Sequence, residues 1–406
     1  MSAERPRRLL LADCDSYFVR CAMLADPEGA GKAELLLVGG RPEGRGVVTS
    51  ASYAARKFGA HAGMPMSQAV RLCPAAMVVP VPGEMVRAKH VEVRAVLDEY
   101  APVVEAASVD EFYLDLTGTE ELYRHEPLEE TARRIQAAVL ERTGISLSIG
   151  AATQRTLAKM AASVNKPYGV HVVPPGGEVE FIARFALADI PGVGPAFAEA
   201  LRRRGTTMVR DLLALDEATL VSWVGEGRGR WLHRLSRGED DSGISPRAPQ
   251  KSLSHERTFP RDLTEEEEIE TKLLALVTET GAALRDDGLR ARTVTVRLRY
   301  SDFTDRSMSR TVAEPLESDR AIFAVARDLL RRLRARRRGG IRLLGVGVSK
   351  LGEDREGEPT LFADAGIESE RDRRLSAAAD RLRTRFGQGT VVPARIARKP
   401  DAGGGA

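Results

Sequence analysis

Aromatic side chains are scarce in this chain: 2 Trp, 7 Tyr and 11 Phe make up 5% of 406 residues. Ala, Leu and Val must therefore fill most of the interior, and a hydrophobic content of 43% supplies enough of them for more than one core. Cysteine is scarcer still. Cys14, Cys21 and Cys73 form an odd, sparse set that excludes a disulfide framework and zinc-ligand spacing, and reads as core thiols in a reducing compartment. No stretch approaches the ~20 apolar residues of a membrane helix. The basic start Met1–Arg8 runs into an apolar segment broken by Asp13 and Asp15, which is not the pattern of a signal peptide. A soluble, cytoplasmic protein without membrane association is expected, as a monomer. A dominant charge is missing too: the formal net charge of +3 does not by itself mark a nucleic-acid binder.

The distribution of charge is more informative than its sum. Residues 245–350 hold 22 Lys and Arg against 16 Asp and Glu, leaving 39 against 42 in the rest of the chain. Positive charge concentrated in one module suits a grip on phosphates, while the remainder keeps carboxylates for metal binding.

Hydrophobic periodicity predicts an α+β region over residues 1–170. Its strands are expected at 9–12, 35–38, 47–49, 103–107, 112–116 and 147–151. Its helices are expected at 52–58, 66–72, 86–100, 128–143 and 156–166. From 182 to about 235 the pattern is helical only, and the polar stretch 237–250 with its Gly and Pro residues reads as a linker. A second α+β unit follows, with strands expected at 252–258, 292–301, 307–312 and 340–349 and helices at 265–287 and 319–337. The charged end, 353–406, is expected to be flexible apart from a helix near 369–386.

Four groups of residues carry chemistry. Asp13 closes a buried strand, and Asp110 and Glu111 adjoin another. Three carboxylates from two strands can bridge two Mg²⁺ ions, which take oxygen ligands and suit in-line displacement at phosphorus. Each acid alone also reads as a solvated turn residue, but an adjacent pair in an apolar run repels itself unless cations offset the charge. Tyr53 and Arg56 share a helix face at i, i+3, where a phenol and a guanidinium suit triphosphate oxygens. Lys159 lies off the apolar stripe of Leu157, Met160, Ala161 and Val164. Gly192 and Gly194, in Pro191-Gly192-Val193-Gly194-Pro195, allow a turn that exposes N–H groups to a strand backbone; an ordinary turn between helices is the other reading. It is not a nucleotide P-loop, since no Gly-Lys-Ser/Thr follows. Finally, Arg327, Arg331, Arg332, Arg334, Arg336, Arg337, Arg338 and Arg342 predict salt-dependent phosphate binding.

Taken in order, five segments resemble the Y-family DNA polymerases, most closely the polymerase IV-like branch. They are Ala12–Phe18, Ser50–Met64, Ser108–Asp115, Leu157–Lys159 continuing through Asn165–Gly169, and Asp189–Gly194. The resemblance covers roughly residues 8–350. It implies a multidomain α+β right hand: palm and fingers over 1–170 with the fingers near 18–80, a helical thumb over 171–236 with a helix-hairpin-helix turn, a linker at 237–250, an α+β little finger over 251–350, and a flexible tail over 351–406. It implies template-directed, low-processivity extension of a primer past damaged bases, with primer-template DNA and deoxynucleoside triphosphates as partners. It places metals on Asp13, Asp110, Glu111 and the Cys14 carbonyl. The incoming nucleotide falls on Phe18, Ser50, Tyr53, Arg56 and Lys159, with Phe18 as the steric gate against a ribose 2′-hydroxyl. DNA contacts fall on Gly192, Gly194, Arg331 and Arg332. Cys14 stands where Phe or Met is more usual, and Ala22 where a Glu is. The tail peptide Glu358-Pro359-Thr360-Leu361-Phe362 looks like a sliding-clamp motif without its Gln. A catalytically silent accessory protein of the same family would lack the metal ligands, and a nucleotide cyclase would not need the thumb turn or the basic module.

Overall fold

The computed structural model describes residues 6–245, 250–353, 367–387 and 389–397, so the Leu361-Phe362 peptide lies outside the described residues. The chain divides into two compact units, 1–248 and 249–406.

The first unit is built on β1 (Leu9–Cys14), followed by α1 (Tyr17–Ala25). A small sheet comes next: β2 (Leu36–Gly39) and β3 (Val48–Ala51), the single turn α2 (Tyr53–Arg56), α3 (Met66–Leu72) and β4 (Met77–Val79), in the order β3-β2-β4. After α4 (Gly83–Asp98) come β5 (Val103–Ala106), β6 (Glu111–Asp115), α5 (Leu128–Thr143), β7 (Leu147–Ala152), α6 (Arg155–Val164) and β8 (Val170–Val172). These strands make a five-stranded sheet, β5-β6-β1-β7-β8, with β1 at its centre. A central strand is covered on both faces, so Leu9, Leu10, Leu11 and Ala12 are fully buried and read as a continuous apolar run.

The two faces bury different partners. Leu10, Ala12, Phe112 and Leu114 pack with α4 and α5, whereas Leu11 and Tyr113 pack with α6 and the helices that follow. Side chains alternate along a strand, so Asp13 and Glu111 belong to the α6 face with Leu11 and Tyr113. The approach of α6 to β7 depends on Gly150. A Cβ there would lie 2.1 Å from both the Ala158 carbonyl oxygen and the Ala162 nitrogen, backbone atoms that cannot swing aside. Gly150→Ala is therefore expected to destabilise by roughly 1–3 kcal/mol, the range for overpacking, lowering the thermal midpoint of the first unit. An unchanged midpoint would contradict this packing.

Some elements differ from expectation. The helix expected over 52–58 is only one turn. Ser52 caps it, accepting from the Ala55 N–H (3.2 Å), and Gly59 ends the segment at φ +89°. β4 and β8 have three residues each, too short to leave a period. The apolar stripe of α6 is Leu157, Ala158, Met160, Ala161 and Ala162; Val164, expected within it, is exposed.

Four helices complete the unit: α7 (Glu178–Ile182), α8 (Pro195–Arg202), α9 (Glu217–Val224) and α10 (Glu226–Ser236). They share a core with α6 through Phe181, Phe197, Leu201, Leu220, Leu232 and Leu235. The opening half of the expected linker is fastened down. Arg237 donates to the Leu213 and Leu215 carbonyls, Asp240 accepts from the Thr156 N–H (3.1 Å) and Oγ1 (2.9 Å), and the Ser245 N–H donates to Glu105 (2.7 Å).

The second unit holds β9 (Ser252–Leu263), α11 (Glu266–Asp286), β10 (Leu289–Tyr300), β11 (Asp305–Leu316), α12 (Asp319–Arg336), β12 (Ile341–Glu353) and α13 (Glu370–Phe386). Its antiparallel sheet runs β11-β10-β12-β9. One face packs Val294, Val296, Leu344 and Val346 against Leu273, Val277, Ile322, Val325 and Leu329 of α11 and α12. β9 and β11 run 12 residues each, longer than their apolar content suggested, because long stretches of both are solvent-exposed. α13 is tied down by the half-buried Arg285, which donates to Asp319 (2.9 Å) and Asp380 (2.6 Å).

Candidate active site

The carboxylates meet because of strand register. Asp13 on β1 stands opposite Glu111 on β6 and opposite Ser148 on β7. Beyond the pairing, the Cys14 N–H donates to the Asp110 carbonyl (2.9 Å), which brings the turn before β6 against the end of β1. Asp110, Glu111 and Asp13 thus occupy one corner of the sheet, although about a hundred residues separate them in the chain.

Each acid has a partner. Lys166 Nζ lies 2.5 Å from Asp13, and Lys159 Nζ lies 2.7 Å from both oxygens of Glu111. Asp110 accepts from the Ser108 hydroxyl (2.5 Å). Burial pushes the Asp13 carboxyl above its ordinary value; Lys166 pulls it down, and Glu111 and Asp110 push it further up. Burial also pushes the Cys14 thiol well up, and its sulfur packs in the core. Among the described residues no three His, Cys, Asp or Glu side chains are gathered closely enough to hold a metal as they stand. The oxygen-only donor set nevertheless suits a hard cation, and two ammonium groups now offset the negative charge that such a cation would offset.

Tyr53 and Arg56 of α2 lie beside this corner. The Arg56 guanidinium sits 4.7 Å from the Tyr53 ring centroid and donates to the Ala51 carbonyl (2.9 Å) and the Ser16 hydroxyl (3.1 Å). The Tyr53 hydroxyl is 3.4 Å from Asp15, whose other oxygen accepts from the Tyr168 N–H (2.9 Å). Ser50 is buried in β3, opposite Val38. Phe18 is half-buried where two apolar clusters meet, and its ring meets Tyr17 edge-on at 5.8 Å. Tyr17 is fixed in turn by donating to the Val86 carbonyl (2.6 Å).

Sequence reasoning passed over Lys166, Asp15, Ser148 and the backbone of Tyr168. Lys166 had a signal: it follows the end of α6 immediately before Pro167, which stops the helix and turns the chain. Nothing local marked Asp15 or Ser148.

Gly192 takes φ +97°, and Gly194 caps α8 from an extended conformation. Both line an open cleft of about 530 Å³ with Phe197, Trp223 and Arg228. The Arg-rich segment is α12 and its C-terminal turn, and five of its eight arginines are paired with acids. Arg327, Arg331 and Arg395 share Glu270, Arg332 pairs with Asp328, the buried Arg334 with Glu266, and Arg337 with Asp302. With three guanidinium groups on one glutamate, this surface still keeps a positive surplus.

A sheet-borne corner of acids, a basic and phenolic set beside it, a helical module with a glycine turn and a separate basic α+β unit define a template-directed nucleotidyltransferase of the right-hand kind. The comparisons agree. The model of the impB/mucB/samB family matches residues 12–163, and the model of that family's C-terminal domain matches 250–361. A DNA polymerase IV of Caulobacter vibrioides is 34% identical over 94% of this chain and 92% of its own length. One from Dehalococcoides mccartyi is 34% identical over 97% and 99%. Among solved structures, a Y-family DNA polymerase chimera of Dbh and Dpo4 matches with TM-score 0.77 and 26% identity, covering 86% of this chain and all of its own. An insertion ternary complex of Dbh DNA polymerase matches with TM-score 0.59 and 27% identity, covering 84% and 98%. The chain belongs to the Y-family DNA polymerases, in the DNA polymerase IV branch. It is a DNA-directed DNA polymerase of the translesion class, with palm, fingers, thumb and little finger. Among the described residues no helix is long and apolar enough to cross a membrane.

Proposed function

We propose that this polymerase adds deoxynucleotides to a primer 3′ end at the corner formed by Asp13, Asp110 and Glu111. The observation that carries the reading is the Asp13–Glu111 register with a lysine on each acid, next to the Tyr53–Arg56 pair. Two Mg²⁺ ions held by these carboxylates and the Cys14 carbonyl would lower the pKa of the attacking hydroxyl and neutralise the departing pyrophosphate. Tyr53 and Arg56 bind the triphosphate, and Ser50 shapes the same pocket from β3. Lys159 and Lys166 are released from Glu111 and Asp13 when cations take their place, and each can then turn to phosphate oxygens. Phe18 lies under the sugar as the steric gate.

The palm and fingers are assigned to 1–170, the thumb to 171–236 and the little finger to 251–350. Gly192 and Gly194 grip a strand backbone through exposed N–H groups. In the little finger, the sheet face away from α11 and α12 carries Ser254, Thr295, Arg297, Arg299 and Ser309. Its strands of 12 residues span about 40 Å, long enough to lie along a duplex. Arg331 and Arg332 add attraction from the charge surplus on α12. The test is extension of a primed template with Mg²⁺ across a panel of defined lesions, beside an undamaged control. Wild-type protein is expected to extend the control with low processivity and to pass at least one lesion; no extension of either supports a silent accessory protein instead. Arg297 is paired with Glu256 and Asp305 and Arg299 with Asp305, so DNA phosphates must displace those carboxylates. Arg297→Ala with Arg299→Ala is expected to lower the salt slope of DNA binding by about 2. An unchanged slope would move the main contact to α12.

A further inference from the structure

We infer that Asp15 is a positioning residue that locks the nucleotide-binding turn of the fingers to the palm loop carrying Lys166, so that its loss weakens nucleotide binding rather than chemistry. The inference rests on the reading above that Tyr53 and Arg56 receive the triphosphate.

Asp15 is 4% exposed and lies two residues beyond Asp13. Its Oδ1 accepts from the Ser148 hydroxyl of β7 (2.7 Å) and lies 3.4 Å from the Tyr53 hydroxyl of α2. Its Oδ2 accepts from the Tyr168 N–H (2.9 Å). The three donors come from positions 38, 133 and 153 residues away, so one carboxylate joins three parts of the chain that no local structure brings together. Its own N–H donates to the Ser146 carbonyl (2.9 Å), which fixes the backbone beneath it. The adjacent Ser16 accepts from Arg56 (3.1 Å), so consecutive residues hold both members of the Tyr53–Arg56 pair.

The far end of the link is as specific. Tyr168 takes the left-handed region at φ +54°, a conformation that a bulky side chain rarely adopts and that persists where surrounding contacts enforce it. The Asp15 bond to its N–H is one such contact. It sets the course of the chain two residues after Lys166, and Lys166 reaches Asp13. An apolar residue would fill the same space, but only an acceptor can hold a hydroxyl, a phenol and an amide at once. Asp15 thus ties Tyr53 to the backbone of Tyr168, two residues beyond Lys166.

The experiment compares full-length wild type with Asp15→Ala and Asp15→Asn. It measures steady-state extension, primer-template affinity, and nucleotide binding to a dideoxy-terminated primer complex, where no chemistry occurs. Asp15→Ala is expected to raise the nucleotide KM and its dissociation constant on the order of tenfold, with kcat and DNA affinity within about threefold of wild type. Asp15→Asn keeps an acceptor for the Tyr168 N–H and presents an amide to Ser148, so it is expected to recover most of the loss. Wild-type KM in a folded Asp15→Ala overturns the inference. So does a parallel loss of kcat, KM and DNA binding, which would mark general damage to the fold. If the alanine variant does not fold, Asp15→Glu carries the same expectation, because one added methylene displaces the carboxylate from all three donors; wild-type KM there overturns the inference equally. Asp110→Ala run alongside separates the two readings. Extension that survives in Asp110→Ala sinks the active-site assignment, whereas its loss there with normal KM in the Asp15 variants sinks only the role of Asp15.

Discussion

Primer extension is expected to fall by at least ~10³-fold in Asp110→Ala and in Glu111→Ala, while primer-template affinity stays within a few-fold of wild type. Loss of several kcal/mol of charge stabilisation at the attacking and departing oxygens corresponds to that factor. The structure indicates why folding should survive. Asp110 is half-buried in the bend before β6, and its side chain bonds a neighbour only two residues away, Ser108. Glu111 is partly exposed, and its removal leaves Lys159 with a side chain that is 36% exposed and can reach water. Asp13 is a harder test: its burial and its contact with Lys166 mean that removal leaves an ammonium without its partner beside the core. The two milder variants are therefore decisive. Wild-type extension by both would sink the assignment, and a parallel fall in thermal midpoint would turn it into a statement about stability.

The second large effect is on the sugar. Phe18→Ala is expected to raise ribonucleotide incorporation relative to deoxyribonucleotide by on the order of 10²-fold, with only a modest change for the natural substrate. A gate works only if it cannot yield. Phe18 is gripped between two apolar clusters and braced edge-on by Tyr17, whose own hydroxyl is bonded to Val86. Ser16 makes this placement possible. It takes φ 44° directly after β1, so that α1 starts at once and Phe18 stands a few residues from Asp13. Incorporation ratios for matched ribo- and deoxyribonucleotides opposite one template base measure the effect. An unchanged ratio would place the gate on another side chain.

Much of this was legible before any coordinates. Leu9–Ala12 could be read as a doubly covered strand because a central strand has no polar face to betray it. The long amphipathic helices α5, α11 and α12 were legible because 16 to 21 residues repeat the helical period several times. β4 and β8 were not, at three residues each, and α2 was overextended because propensity continues past the point where Gly59 turns the chain. The Arg-rich helix shows the limit for charge. Eight arginines are plain in the sequence, but which of them are matched depends on Glu266, Glu270 and Asp302, which come from other elements of the unit.

By itself the sequence determined the residue types on which this protein depends: strand-end carboxylates, a phenol and guanidinium one helical turn apart, and a glycine-bearing turn between helices. These are local facts, because strand ends, helical spacing and backbone freedom are properties of a few consecutive residues. Only the tertiary structure decided that Asp13 faces Glu111, that Lys166 as well as Lys159 attends the acids, and that Asp15 holds Tyr53 and Tyr168 together. Each of those pairings joins segments from 38 to 153 residues apart, or arises from the register of two strands. A one-residue slip in that register would leave the same sequence with its carboxylates on opposite faces of the sheet.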